Sequence, residues 1–235
     1  MQVFKLRYFA LVLIFFTGIL KADLELGAAQ SLTRIYAIDG LNPPTKIRSN
    51  VGFGINLASD IKYNDSHFFI YGLSGKILHF NSPIEAKLTN NFTSINEYFL
   101  GLKKIKHETV YQFKIGTENF LYYQFKNNQY QIIRATPIML NLKIENKLSS
   151  LKDLKYTIGV KSYLPFADVR DSGKVGFGGT VRLSFDTDEN QAKFSPYLEA
   201  EYAVKKIKQT TFSRFSFSLG FDINIDIREK KSKLF

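Results

Sequence analysis

Few residues in this chain are of a type that does chemistry, and their spacing does not suit it. The three histidines are His67, His79 and His107, and there is no cysteine. That removes disulfides, thiolate metal sites and thiol nucleophiles together. His79 is followed by Ser82 and Glu85, the residue types of a Ser-His-carboxylate hydrolase acting on lipid. Their spacing fits no defined motif, and a histidine at a loop edge is the simpler reading. Asp168 and Asp171 form an acidic pair with no histidine near them in sequence. Phosphate-cradling glycine loops, HExxH helices and EF-hand loops do not occur. The sequence therefore predicts no catalytic residue, cofactor or metal, and no enzyme. A lipid hydrolase using His79 and Ser82 is the exception that the residue types allow.

The remaining charged residues are more informative, because they fall at alternate positions of otherwise apolar runs. Phe215, Phe217, Leu219, Phe221, Ile223, Ile225 and Ile227 alternate with Ser216, Ser218, Gly220, Asp222, Asn224 and Asp226. In an extended strand these two sets face opposite sides. The pattern recurs with Phe177 and Phe185 against Arg182, with Leu198 and Tyr202 against Glu199 and Glu201, and with Phe53 against small residues. Two further runs set Ile144 against Lys143 and Glu145, and Phe113 against Lys114. Taking each run as a strand gives 24–37, 46–60, 67–80, 94–105, 108–117, 130–146, 154–165, 174–187, 193–207 and 211–227. Ten is the count, with eight or twelve left open by the short 208–210 link and by the 119–126 stretch. Four of the five odd connections are longer than every even one. Turn-forming clusters such as Asn42-Pro43-Pro44 and Asp171-Ser172-Gly173 separate the runs.

The first 22 residues read differently. Lys5 and Arg7 precede an apolar run from Tyr8 to Leu20, and Ala22 is a small residue after it. This is the anatomy of a cleaved secretory signal peptide. The apolar run, at about 1.5 Å per residue, is too short for a hydrocarbon core of about 30 Å. The expected organisation is signal peptide 1–22, strands 23–227 and a short basic tail 228–235. The whole chain carries a net charge of +11. Its basic residues are dispersed singly rather than gathered into a stripe, which argues against nucleic acid as a partner.

These features together resemble the small outer-membrane β-barrel proteins of Gram-negative bacteria. The resemblance covers residues 23–227 as a pattern, without a family-specific motif. It implies an all-β fold, a closed antiparallel up-and-down transmembrane β-barrel of about ten strands. The wall facing lipid would include Phe53, Phe177, Phe185, Phe215, Phe217, Leu219, Phe221 and Ile223. Lumen-facing charges would include Glu97, Lys114, Lys143, Glu145, Arg182, Glu199, Glu201, Asp222 and Asp226. Opposite charges pairing across a narrow lumen would fill most of it. Loops 81–93 and 118–129 would face outward. Tyrosines near strand ends, Tyr163 among them, would form an interfacial girdle. Outer-membrane lipids, lipopolysaccharide and the outer-membrane assembly machinery are the partners implied. In that group a terminal aromatic residue serves assembly; here Phe235 is aromatic, but Lys231 and Lys233 interrupt the alternation behind it. Three roles are compatible with these features: a structural or surface-interaction barrel, a narrow porin-like channel for small solutes, and a soluble exported barrel holding a hydrophobic ligand.

Overall fold

The computed structural model describes residues 23–38, 46–83, 87–148, 151–165, 174–189, 192–207 and 209–225. The expected signal peptide, the basic tail, Glu85, Asp168, Asp171 and Asp226 lie outside the described residues. Among those described, the regular structure consists of fifteen strands. They are β1 (Asp23–Ala37), β2 (Lys46–Arg48), β3 (Gly52–Asn64), β4 (His67–His79), β5 (Lys87–Leu88), β6 (Phe92–Lys106), β7 (Thr109–Glu118) and β8 (Phe120–Lys126). There follow β9 (Gln129–Ala135), β10 (Ile138–Leu148), β11 (Leu151–Leu164), β12 (Gly176–Phe185), β13 (Thr187–Glu189), β14 (Ala192–Ile207) and β15 (Thr210–Ile225).

Ten of them, β1, β3, β4, β6, β7, β10, β11, β12, β14 and β15, form one antiparallel ring. Each pairs with the next along the chain, and β15 returns to pair with β1. The fold is thus all-β, a closed up-and-down barrel of ten strands. Closure leaves no strand edge among the ten to aggregate or to face lipid unpaired.

Period-two alternation decides which side chain goes where. On β15 Phe215, Phe217, Leu219 and Phe221 are exposed, with Phe217 at 43%, while Ser216, Ser218 and Asp222 are buried. Register carries the same rule into the neighbours: Phe217 lies opposite Leu32 of β1 and Ala200 of β14. The row continues to Val181, Ile158 and Ile144, all exposed. From Phe215 to Ile225 is ten residue steps, roughly 33 Å of strand. At a tilt of about 40° that is roughly 25 Å along the axis, the height of a lipid-facing band.

The two ends of the barrel differ. Leu24 pairs with Ile225, so the described chain enters and leaves at one end. There the links Asp65-Ser66 and His107-Glu108 are tight. His107 takes a φ of 56° as the first central residue of its link, as a type II′ hairpin turn demands. The long connections are all at the other end.

Two expected strands are divided by the structure. The 46–60 run becomes β2, which extends the edge of β1, and β3, which enters the wall. The 130–146 run becomes β9 and β10, separated at Thr136-Pro137. β9 is not in the wall at all; it pairs with β8 in a hairpin of a separate three-stranded sheet with β5. The expectation that 118–129 would be an outward loop is corrected accordingly. Phe120, Leu121, Tyr122 and Tyr123 are all buried, because four consecutive large apolar or aromatic residues cannot be left in water on both faces of a strand. Tyr163 likewise leaves the expected girdle, turning inward to be fully buried.

Candidate functional site

The lumen has two halves of opposite character. At the long-connection end, the β8–β9 hairpin lies across the mouth. Its aromatic side chains meet inward-facing residues from around the ring. Phe120 packs edge-on against Tyr163 of β11, with centroids 5.8 Å apart, and Tyr123 against Phe212 of β15 at 5.3 Å. Tyr123 also accepts the Ala37 N–H of β1 at 3.0 Å, and Arg134 donates to Ser94 of β6 at 3.3 Å. Ile35, Leu78, Ile95, Met139, Ala203 and Ile207 complete one buried apolar cluster. This end is a plug.

Directly at the base of the hairpin sits a buried ion network. Glu118, the last residue of β7, accepts from Arg214 of β15 and from Lys161 of β11, the latter at 2.6 Å. Tyr163 donates to the same carboxylate at 3.1 Å. Arg214 also donates to Glu201 of β14 and, at 3.0 Å, to the Asn119 carbonyl. Its side chain is 1% exposed. Four barrel strands and the hairpin base thus share one set of charges, and Thr136 closes the loop by donating to Asn119 at 3.0 Å.

Beyond this network the lumen opens into a polar chamber of about 780 Å³. Glu97, Lys114, Lys143, Glu145, Arg182, Glu199, Glu201 and Asp222 all line it. Acidic and basic side chains are present in nearly equal number, and most are paired. Arg182 bonds Asp222 and lies with its guanidinium 3.6 Å from the Tyr197 ring centroid; Lys103 bonds Asp60, and Lys76 reaches Glu199 at 3.8 Å. At the rim, burial tends to raise the Asp186 carboxyl. Hydrogen bonds from Lys155, Lys193 and Ser195 outweigh that and hold it below the ordinary carboxylate range. The interior is therefore divided into a stopper and an accessible chamber, where the sequence suggested a lumen largely filled along its length.

The exterior carries Phe53 at 64% exposure and Phe177, Phe185, Phe215, Phe217, Leu219 and Phe221, all exposed; Ile223 is half-buried. His79 and Ser82 have other engagements. His79 Nδ1 bonds the Asn50 amide at 3.0 Å, and Ser82 Oγ accepts the Leu88 N–H at 3.0 Å. Among the described residues no group of histidine and carboxylate side chains is arranged to hold a metal ion.

The sequence reading missed Glu118, Lys161 and Arg214. Arg214 belongs to the same even-numbered inner face as Asp222, and Lys161 to the inner face of β11. Extending each alternation past its apolar stretch would have found both.

No protein-family model matches the sequence, and no curated protein matches it. Among solved structures, the chain is similar to an outer membrane channel from Pseudomonas putida F1. The TM-score is 0.52 at 11% identity, over 87% of this chain and 95% of that one. The fold is that of an outer-membrane β-barrel. Similar structures also include the outer membrane protease OmpT from Escherichia coli, with TM-score 0.47 and 10% identity, over 87% and 95% of the two chains. The NanC porin aligns with TM-score 0.44 and 13% identity, over 85% and 98%. At these identities it is the barrel architecture that is shared.

Proposed function

We propose that the chain acts in the bacterial outer membrane as a structural and surface-interaction barrel, stoppered at its long-connection end. The observation that carries this is the buried β8–β9 hairpin, held by the Arg214 network across the mouth. A continuous apolar exterior supports membrane residence, since so large an exposed apolar surface is not left in water. The long connections then face outward and the tight turns face the periplasm. Outer-membrane lipids contact the wall, lipopolysaccharide the outer rim, and the assembly machinery inserts the barrel.

Reconstitution in planar bilayers tests the stopper. The intact barrel is expected to give no discrete conductance steps, and regular steps from the unmodified protein overturn the closed reading. A second reading, a narrow channel for small solutes, is favoured by the 780 Å³ chamber. It requires the hairpin to move, so only removal of 120–135 should produce steps if the first reading holds.

A further inference from the structure

One wall of the chamber carries positive charge that no carboxylate neutralises at close range. Lys76, Lys103, Lys155, Lys161, Arg182 and Lys193 each lie within 4.0 Å of a carboxylate oxygen. Among the described residues, Lys114 and Lys143 alone of the chamber's basic side chains have no carboxylate at that distance. The Lys114 ammonium lies instead 3.8 Å from the Phe99 ring centroid.

Strand register places these two lysines together. Lys114 of β7 is opposite Asn141 of β10, and Lys143 is two residues further along the same inner face. They are diagonal neighbours, about 7–8 Å apart at the backbone. Across the other side, Lys143 is opposite Gly159 of β11, which is opposite Thr180 of β12. Gly159 has no side chain, and its inner face is covered by the Thr180 hydroxyl and by Lys143 Cγ, the latter 3.1 Å from where a Cβ would stand. Thr180 is 5% exposed, lines the chamber, and its Oγ1 has no hydrogen-bond partner among the described residues. Asn141 is fully buried, and neither its Oδ1 nor its Nδ2 has a partner. Two ammonium groups and a hydroxyl on the chamber wall are thus left without an acceptor, and the fully buried Asn141 amide lies opposite Lys114 in register. Buried donors in native proteins find an acceptor, and charge-assisted bonds to oxyanions are the strong ones.

We propose that this patch binds a single oxyanion group, a phosphate or a carboxylate, carried by a small polar solute that enters from the short-turn end. The chamber lies within the size range of ordinary ligand pockets. Its near balance of acids and bases, with Glu97 beside the patch and Glu25 across the ring, disfavours a polyanion. The site depends on the chamber wall alone, so it stands whether or not the barrel conducts.

Calorimetric titration of the folded chain in detergent micelles, with inorganic phosphate in one arm and acetate in the other at constant ionic strength, tests this. Saturable one-site binding of at least one probe is expected, and the arm that binds identifies the group. Lys114→Gln with Lys143→Gln should weaken it about tenfold or more, Thr180→Val several-fold, and the rim control Lys62→Gln not at all. The bound probe should also raise the unfolding midpoint of the wild type and leave that of the double variant unchanged. Absence of saturable binding to the wild type, or unchanged affinity in the double variant, overturns the proposal. Should the double variant fail to fold, Thr180→Val decides, and unaltered affinity there counts against the site.

Discussion

Arg214 sits where the lumen changes character, with the apolar plug on one side and the chamber on the other. Its two carboxylate partners come from β7 and β14, and Glu118 is separated from it by 96 positions in the sequence. Removing the guanidinium leaves Lys161 as the one cation paired with both Glu118 and Glu201 among the described residues, with the Tyr163 hydroxyl still donating to Glu118. Breaking a buried pair in this way costs about 3–5 kcal/mol. Arg214→Met should therefore lower the urea midpoint of the folded barrel sharply, whereas combining it with Glu118→Gln and Glu201→Gln should recover much of the loss. Asp186 offers a pH test at the rim. Its folded carboxyl titrates below its unfolded value of 3.8, so its contribution is present above that value and fades as pH falls through the folded one. Asp186→Asn should cost up to about 1 kcal/mol at pH 7, the range for partly exposed pairs. The gap between variant and wild type should close below about pH 4, read from unfolding midpoints across pH.

The β8–β9 hairpin is the element that gives this barrel its asymmetry. Its tip, Asn127-Asn128, has φ of 53° and 58°, the pair of positive values that a type I′ turn needs. Asparagine tolerates this conformation, and a β-branched residue does not. Replacing both with Val should destabilise the hairpin by about 1–2 kcal/mol per residue, seen as faster amide exchange in β8 and β9 with the wall strands unaffected. Asn128→Gly should be tolerated, and equal exchange in the Val variant would argue against the turn assignment. The signals for this element were present in the sequence: two adjacent turn-forming asparagines, and Pro137 interrupting the run 130–146. Alternation could not reveal where the hairpin goes, because a strand buried on both faces no longer has a polar face to mark its orientation.

At the scale of the whole molecule, the outward set of side chains forms an apolar belt and the inward set is mostly polar away from the plug, with Ile70 and Phe99 among the apolar residues of the chamber wall. The chain has no tryptophan, so a single introduced one is an unambiguous reporter. Phe217→Trp should be strongly quenched by lipids brominated on their acyl chains, and Tyr123→Trp, inside the plug, should not. Equal quenching at both positions, or none at Phe217→Trp, would contradict the assignment of the faces.

The alternation in residues 23–225 was enough by itself to point to an all-β barrel of about ten strands and to the side that most wall residues take. Those properties follow from the two-residue period of an extended chain, which is local. What only the tertiary structure decided is the content of the lumen: a plug at one end, a chamber at the other, and the ion network between them. Phe120 meets Tyr163, and Glu118 meets Arg214, only after ring closure has brought distant strands around a common axis. No spacing within a single strand encodes which charges will then find partners and which, like Lys114 and Lys143, will not.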